Sequence, residues 1–220
     1  MLGFGRDTIK EQGINKDRLW EQVKYLSNMI SNMFVYNIGN YESYEEFEEV
    51  LDFMMQRKIL YIENEFVKYP IPGGQANGLM FLCSMIWPFI DSYWLTLIYI
   101  HSVSGNNVLE SKILGKIQRF AESLYEDKII LHYESCALGT IGHAVEYFLD
   151  IGIIIKNKTT VEGGEDNTII TLHPKYQEDS DLIQKEFDKI TFYKNVSYFQ
   201  ISLSLDMLND LFSKMEYSLH

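Results

Sequence analysis

Cysteine is scarce in this chain: its 220 residues include two, Cys83 and Cys136. Both lie in apolar stretches and neither belongs to a C-x-x-C pair, which excludes a disulfide scaffold, a zinc ribbon and a thioredoxin-like motif. Two thiols packed as small apolar side chains in a reducing compartment is the expectation. Basic residues are also few. Nineteen Lys and Arg stand against 31 Asp and Glu, a formal net charge of -12. That balance opposes binding to nucleic-acid phosphates and simple adhesion to anionic lipid. The opening MLGFGRDTIKEQ has no apolar core of a secretory signal, and Asp7 and Glu11 are out of place in a mitochondrial presequence.

Catalytic signatures are missing too. The histidines are His101, His132, His143, His173 and His220. No two share a helix at metal-ligand spacing, and H-E-x-x-H is absent. Ser135 follows Glu134 without a G-x-S-x-G elbow. PIPGGQANG, residues 70–78, lacks the spacing of a phosphate-binding loop and reads as a linker. No metal, no cofactor and no catalytic residue is expected from these patterns.

What is present is a 46% hydrophobic chain with clear helical periodicity, enough for one large domain or two small ones. Leu19, Val23, Leu26, Ile30 and Met33 form one apolar face, with Asn15 as N-cap. Ser43 and Glu46 make a capping box for the next helix, whose acidic first turns suit the helix dipole. A short hairpin is expected over 59–67. Ile113, Ile117, Phe120 and Leu124 form another face, IILHY at 129–133 reads as a strand, and Ser135 as the cap of a short turn. Ile141, Val145, Phe148 and Leu149 follow, ending at Gly152 in a left-handed cap, and then a hairpin over 153–172. Residues 180–220 read as helical, one face carrying Ile183 and Phe187 and another Leu205 and Phe212, with a break over 195–201. The order helix, strand, helix, helix, hairpin is that of a winged helix. A second, weaker copy is suggested by residues 51–61 matching 145–155 at a constant offset. The helix in the recognition position, 141–152, has Glu146 and Asp150 and no Lys or Arg, so DNA is excluded as its target.

The expected fold is therefore mostly α, a helical bundle with one or two winged-helix-like helix-plus-β-hairpin units. Four regions are expected: a helical unit with a short hairpin (1–70), a hydrophobic broken helix (71–110), a winged-helix-like unit (111–175) and C-terminal helices (176–220). The segment LMFLCSMIWPFIDSYWLTLIYI, residues 79–100, is long enough to cross a bilayer but holds Pro88 and Asp91 near its middle. The proline predicts two helices joined near 87–91, with Asp91 stabilised at the start of the second. Phe81, Trp87, Pro88, Phe89, Asp91, Tyr93 and Trp94 are the expected structural, partner-facing or lipid-facing residues.

The string Pro88-Phe89-Ile90-Asp91-Ser92-Tyr93-Trp94, with the apolar run after it, resembles the C-terminal region of glycerol-3-phosphate and dihydroxyacetone-phosphate acyltransferases. HYESCALGTIGHAVEYFLDIGI is similar to a second block of that family, on which Tyr133, Glu134, Ser135 and Gly152 are structural motif residues. The likeness runs from Phe81 to Leu172 and is loose elsewhere. The family's acyl transfer uses a His and an Asp separated by four residues. Here the residues five positions after His101, His132, His143 and His173 are Asn106, Ala137, Phe148 and Glu178. The resemblance thus implies a non-catalytic accessory or structural subunit of a larger, membrane-associated and mitochondrial assembly, with protein partners, possible lipid contact and no nucleic acid. The alternatives are the C-terminal part of a split or truncated acyltransferase and a soluble interaction adaptor.

Overall fold

Two runs of secondary structure repeat each other 94 residues apart. The computed structural model describes residues 12–33, 43–69, 76–103, 108–160 and 166–194. The expected break at 195–201, the helix around Leu205 and residues 70–75 of the linker expected over 70–78 lie outside them; residues 76–78 of that linker are helical, opening the long apolar helix Ala76–Ser102. The first run is β1 (Ile14–Asn15), α1 (Lys16–Ile30), α2 (Tyr44–Gln56), β2 (Tyr61–Glu63) and β3 (Phe66–Lys68). A long helix, α3 (Ala76–Ser102), follows. The second run is β4 (Val108–Leu109), α4 (Glu110–Glu126), α5 (Leu138–Asp150), β5 (Ile154–Thr160) and β6 (Asp166–Leu172), then α6 (Pro174–Glu178) and α7 (Ser180–Tyr193). Ile14 with Val108, Lys16 with Glu110 and Tyr44 with Leu138 each open equivalent elements 94 positions apart. The fold is mostly α, as expected, with two winged-helix-like units.

The sheets share one topology. Antiparallel strands run in the order β1-β3-β2 and β4-β6-β5, with Ile14 opposite Val67 and Val108 opposite Ile170. Equivalent core positions are buried in both units: Leu19 and Ile113, Phe47 and Ile141, Leu51 and Val145. The helix ends also match. Lys58 N donates to Met55 O and Ile59 N to Met54 O, at 2.9 and 3.0 Å. Gly152 N donates to Leu149 O and Ile153 N to Phe148 O, at 3.1 and 2.9 Å. These bonds satisfy carbonyls at the helix ends and require a left-handed residue, which is Gly152 at φ +71° in one unit and Lys58 at φ +55° in the other. A side chain at such a φ costs about 1 kcal/mol, and glycine returns part of that as unfolded-state entropy. Lys58→Gly should therefore stabilise the first unit by about 0.5 kcal/mol and Gly152→Lys destabilise the second by about 1 kcal/mol. Urea midpoints of the two variants check both signs.

The chain divides between Ile86 and Trp87 into two compact units. In the first, Ile14, Leu19, Trp20, Phe47, Leu51, Leu60, Val67 and Tyr69 form the core. Asn15 caps α1 by accepting from the backbone of Asp17 and Arg18, and Ser43 accepts from Glu46 N at 3.4 Å to cap α2. Lys16 pairs with Glu48, which raises the lysine's pKa mainly through their hydrogen bond. The same first-turn position in the second unit, Glu110, pairs with Lys156 at 2.6 Å.

Three local expectations are corrected. The apolar segment is not broken near Pro88: α3 is one helix with the proline inside it. An interior proline costs about 3 kcal/mol. Ile90, Tyr93, Trp94, Leu95, Leu97 and Ile98 are all essentially fully buried, and each such burial is worth about 1.5–3 kcal/mol, so packing outweighs the missing donor. Residues 129–133 are not a strand. Ile129 N and Ile130 N both turn back to Leu124 O, at 2.8 and 3.2 Å, closing the end of α4. Ser135 is not a helix N-cap either; it is buried within a 3-10 turn, Tyr133–Cys136, and α5 begins after Ala137 with no side-chain cap.

Candidate functional site

Asp91 is the only charged residue that is buried among the described residues, and it gathers Lys194 and His132 around it. Its residue is 4% exposed, although it sits in the middle of α3 and not at a helix start as the proline suggested. Without a helix terminus nearby, side chains must compensate its charge, since an unpaired buried carboxylate is costly. Lys194, just past α7, reaches Oδ1 with Nζ at 2.7 Å. His132, between α4 and the 3-10 turn, places Nδ1 3.1 Å from Oδ2. Both oxygens of the carboxylate are thus engaged, from 103 and 41 residues away in sequence.

Aromatic rings frame the cluster. The Lys194 ammonium lies 4.0 Å from the centroid of the Trp94 ring, a cation–π contact that compensates part of its desolvation. Trp94 packs on Phe187 of α7 and donates from Nε1 to Thr191 Oγ1 at 3.2 Å. His132 stacks on Trp87. One residue beyond Asp91, Ser92 Oγ lies 3.0 Å from both Pro88 O and Ser135 O, linking α3 to the 3-10 turn. Gln118 Nε2 of α4 donates to Cys136 O at 3.0 Å. α3, α4, the turn and α7 are therefore tied together at one level.

The chemistry available here is that of a lock. Lys194 and His132 each engage one oxygen of the Asp91 carboxylate and so tie α7 and the segment before the 3-10 turn to α3. No group of three or more metal-binding side chains occurs among the described residues. Burial raises the phenol of Tyr93 above the ordinary tyrosine range and pushes Tyr193 up to about 12. Burial, with Glu122, Asp91 and Glu134 adding like charge, pushes the Cys136 thiol up to about 11. A raised thiol pKa favours the native state while the unfolded thiol is still protonated, so this contribution is intact below about pH 9 and fades as pH rises towards 11. Cys136 should stay unmodified by a thiol reagent at pH 8, while Cys83, half-buried, reacts. Mass-spectrometric alkylation mapping checks this, and both should react in urea.

Each residue singled out in the sequence has a definite place. Trp87, Tyr93 and Trp94 are buried, and Tyr93 lies edge-on to Tyr147 and Phe148 of α5 at 5.4 and 6.1 Å. Pro88 and Phe89 are half-buried, while Phe81 is 65% exposed. Tyr133 and Glu134 are exposed, Ser135 is buried, and Gly152 supplies the left-handed cap. His132 and Lys194 were missed because no local motif marks them. The only available signal was a lysine directly after the buried face Ile183, Phe187, Ile190. Among the described residues α3 is long and apolar enough to cross a membrane over Phe81–Ser102, and 61% of that window is buried within the protein.

Comparison with known proteins bears out the resemblance. The profile of the family described as glycerol-3-phosphate acyltransferase C-terminal region matches residues 4–157. The chain is 28% identical, over 119 residues, to the protein of Mus musculus named glycerol-3-phosphate acyltransferase 1, mitochondrial. That stretch is 54% of this chain and 14% of the mouse protein, so the chain matches a small part of that relative's length. Asp91 and His132 lie inside the residues matched by the family profile, and Lys194 lies outside them.

Proposed function

We propose, for a chain that belongs to the glycerol-3-phosphate acyltransferase C-terminal region family, the role of a non-catalytic accessory module of acyltransferase machinery. It acts in a membrane-associated, mitochondrial assembly with other protein subunits. The observation that carries this reading is the coincidence of the C-terminal family match with a chemically occupied Asp91. The region shared with the family is built around a carboxylate used to hold helices together, and no described histidine is followed five residues later by an aspartate. The acidic balance of the chain and the lack of Lys or Arg on α5 speak against nucleic acid as the partner.

A second reading is favoured by one fact: the match covers 14% of a much longer acyltransferase. On that reading the chain is the C-terminal part of a split enzyme and shapes the lipid side of an active site on another chain. Both readings are tested by adding the purified chain to a catalytic acyltransferase chain that carries H-x4-D and following lysophosphatidate formation from glycerol 3-phosphate and acyl-CoA. The split reading predicts activity only in the mixture. The accessory reading predicts stable co-purification with altered membrane recovery or lifetime of the catalytic chain and an unchanged initial rate. Neither association nor a rate effect would sink both.

A further inference from the structure

The two repeats differ in what covers one face of their second helix. In the second unit, Tyr93 of the apolar helix α3 rests on Tyr147 and Phe148 of α5, and Ala144, one turn earlier, is 0% exposed. The positions 94 residues earlier are Val50 and Phe53 on α2, which stand where Ala144 and Tyr147 stand on α5. Val50 is 44% exposed and Phe53 54%. The core positions of the same two helices, Phe47 and Ile141, Leu51 and Val145, are buried alike. Between these two helices the difference falls on the side that carries the Tyr93 contact in the second unit.

The margins of the two faces differ in charge. On α2 the stripe continues one turn towards the N-terminus through Glu46 and Glu49, both exposed. The equivalent residues on α5 are Thr140 and His143. A helix laid on the first unit's face thus meets an apolar centre with carboxylates at its N-terminal margin, while Arg57 stacks on the Phe53 ring at the C-terminal margin; the acidic margin attracts a basic flank and repels an anionic membrane surface.

We infer that the Val50/Phe53 face of α2 is a docking site for a helix of a partner protein, apolar and aromatic at its centre and basic at its flank. It grips that helix as α5 grips α3. The partner helix replaces the contact that Tyr93 makes in the second unit, and its lysines or arginines face Glu46 and Glu49. Winged-helix units of this chain then serve as helix clamps, one filled internally and one open to another protein.

The full chain is titrated with two fluorescein-labelled helical peptides of about 20 residues, some 30 Å long. They share an apolar face with one tyrosine; one has lysine flanks and the other glutamate flanks. The lysine-flanked peptide binds, Phe53→Glu weakens it about ten-fold or more, and the double variant Glu46→Lys/Glu49→Lys shifts the preference to the glutamate-flanked peptide. Both variants change exposed residues, and far-UV circular dichroism confirms their fold. The inference is overturned if neither peptide binds, or if binding ignores Phe53→Glu or the charge reversal. It is equally overturned if Phe53→Glu acts instead by dissociating a dimer in sedimentation or by releasing the chain from phosphatidylcholine vesicles.

Discussion

Lys194→Met lowers the stability of the chain by about 3–5 kcal/mol, the range for breaking a buried ion pair from one side. The loss arises at Asp91. Its side chain is 6% exposed and is left with His132 as its one remaining partner in the cluster. The reverse change is milder. When Asp91 becomes leucine, Lys194 retains the Trp94 ring beneath it and its long stem can carry the ammonium to water. Asp91→Leu should therefore cost about 1–2 kcal/mol, and Lys194→Met in that background should add little, a coupling that a double-mutant cycle in urea reads directly. Losses that simply add would mean that the pair is solvated and holds nothing.

Trp94→Ala is expected to cost about 3–5 kcal/mol, as for other fully buried aromatic residues. Trp94 is 1% exposed and serves three contacts at once: the Phe187 ring, the Thr191 hydroxyl and the Lys194 ammonium. Its removal leaves a cavity between α3 and α7 and strips the platform under the lysine. The combination with Lys194→Met should fall short of the sum of the single losses, because both changes remove the same cation–π contact. Trp94→Phe keeps the ring and loses the N–H, and should recover most of the stability. Thermal unfolding of the three variants orders them; a Trp94→Phe variant as weak as Trp94→Ala would place the energy in the hydrogen bond and not in packing.

Much of the fold is written locally. Apolar spacing marks α1, α2, α4 and α5, Asn15 and Ser43 mark two starts, and Gly152 marks an end. Those are short-range effects that a window of a few residues contains. The repeat was legible as a short run, 51–61 against 145–155, although the structure extends it to three strands and two helices in each copy. Pro88 misled because its cost is local while the compensating burial of Tyr93, Trp94 and Leu97 comes from other helices. Ile129 and Ile130 look like a strand, but their N–H groups are taken by the end of α4.

The site was legible only in part. Asp91 announced itself as a charge among apolar residues. Its partners did not, because Lys194 and His132 approach from distant segments and each is unremarkable in its own surroundings. The contrast between Val50 and Ala144 is similar: two aliphatic residues at equivalent positions differ in exposure, which tertiary packing sets and the local sequence does not.

The measurement that bears most directly on the central claim is the assay of the purified chain alone with labelled glycerol 3-phosphate and a long-chain acyl-CoA. A structural Asp91–His132–Lys194 lock predicts lysophosphatidate at the level of the blank, for the chain as it stands and for His132→Gln alike. Product formed above the blank and abolished by His132→Gln would contradict it, and would make the Asp91–His132 pair a catalytic dyad.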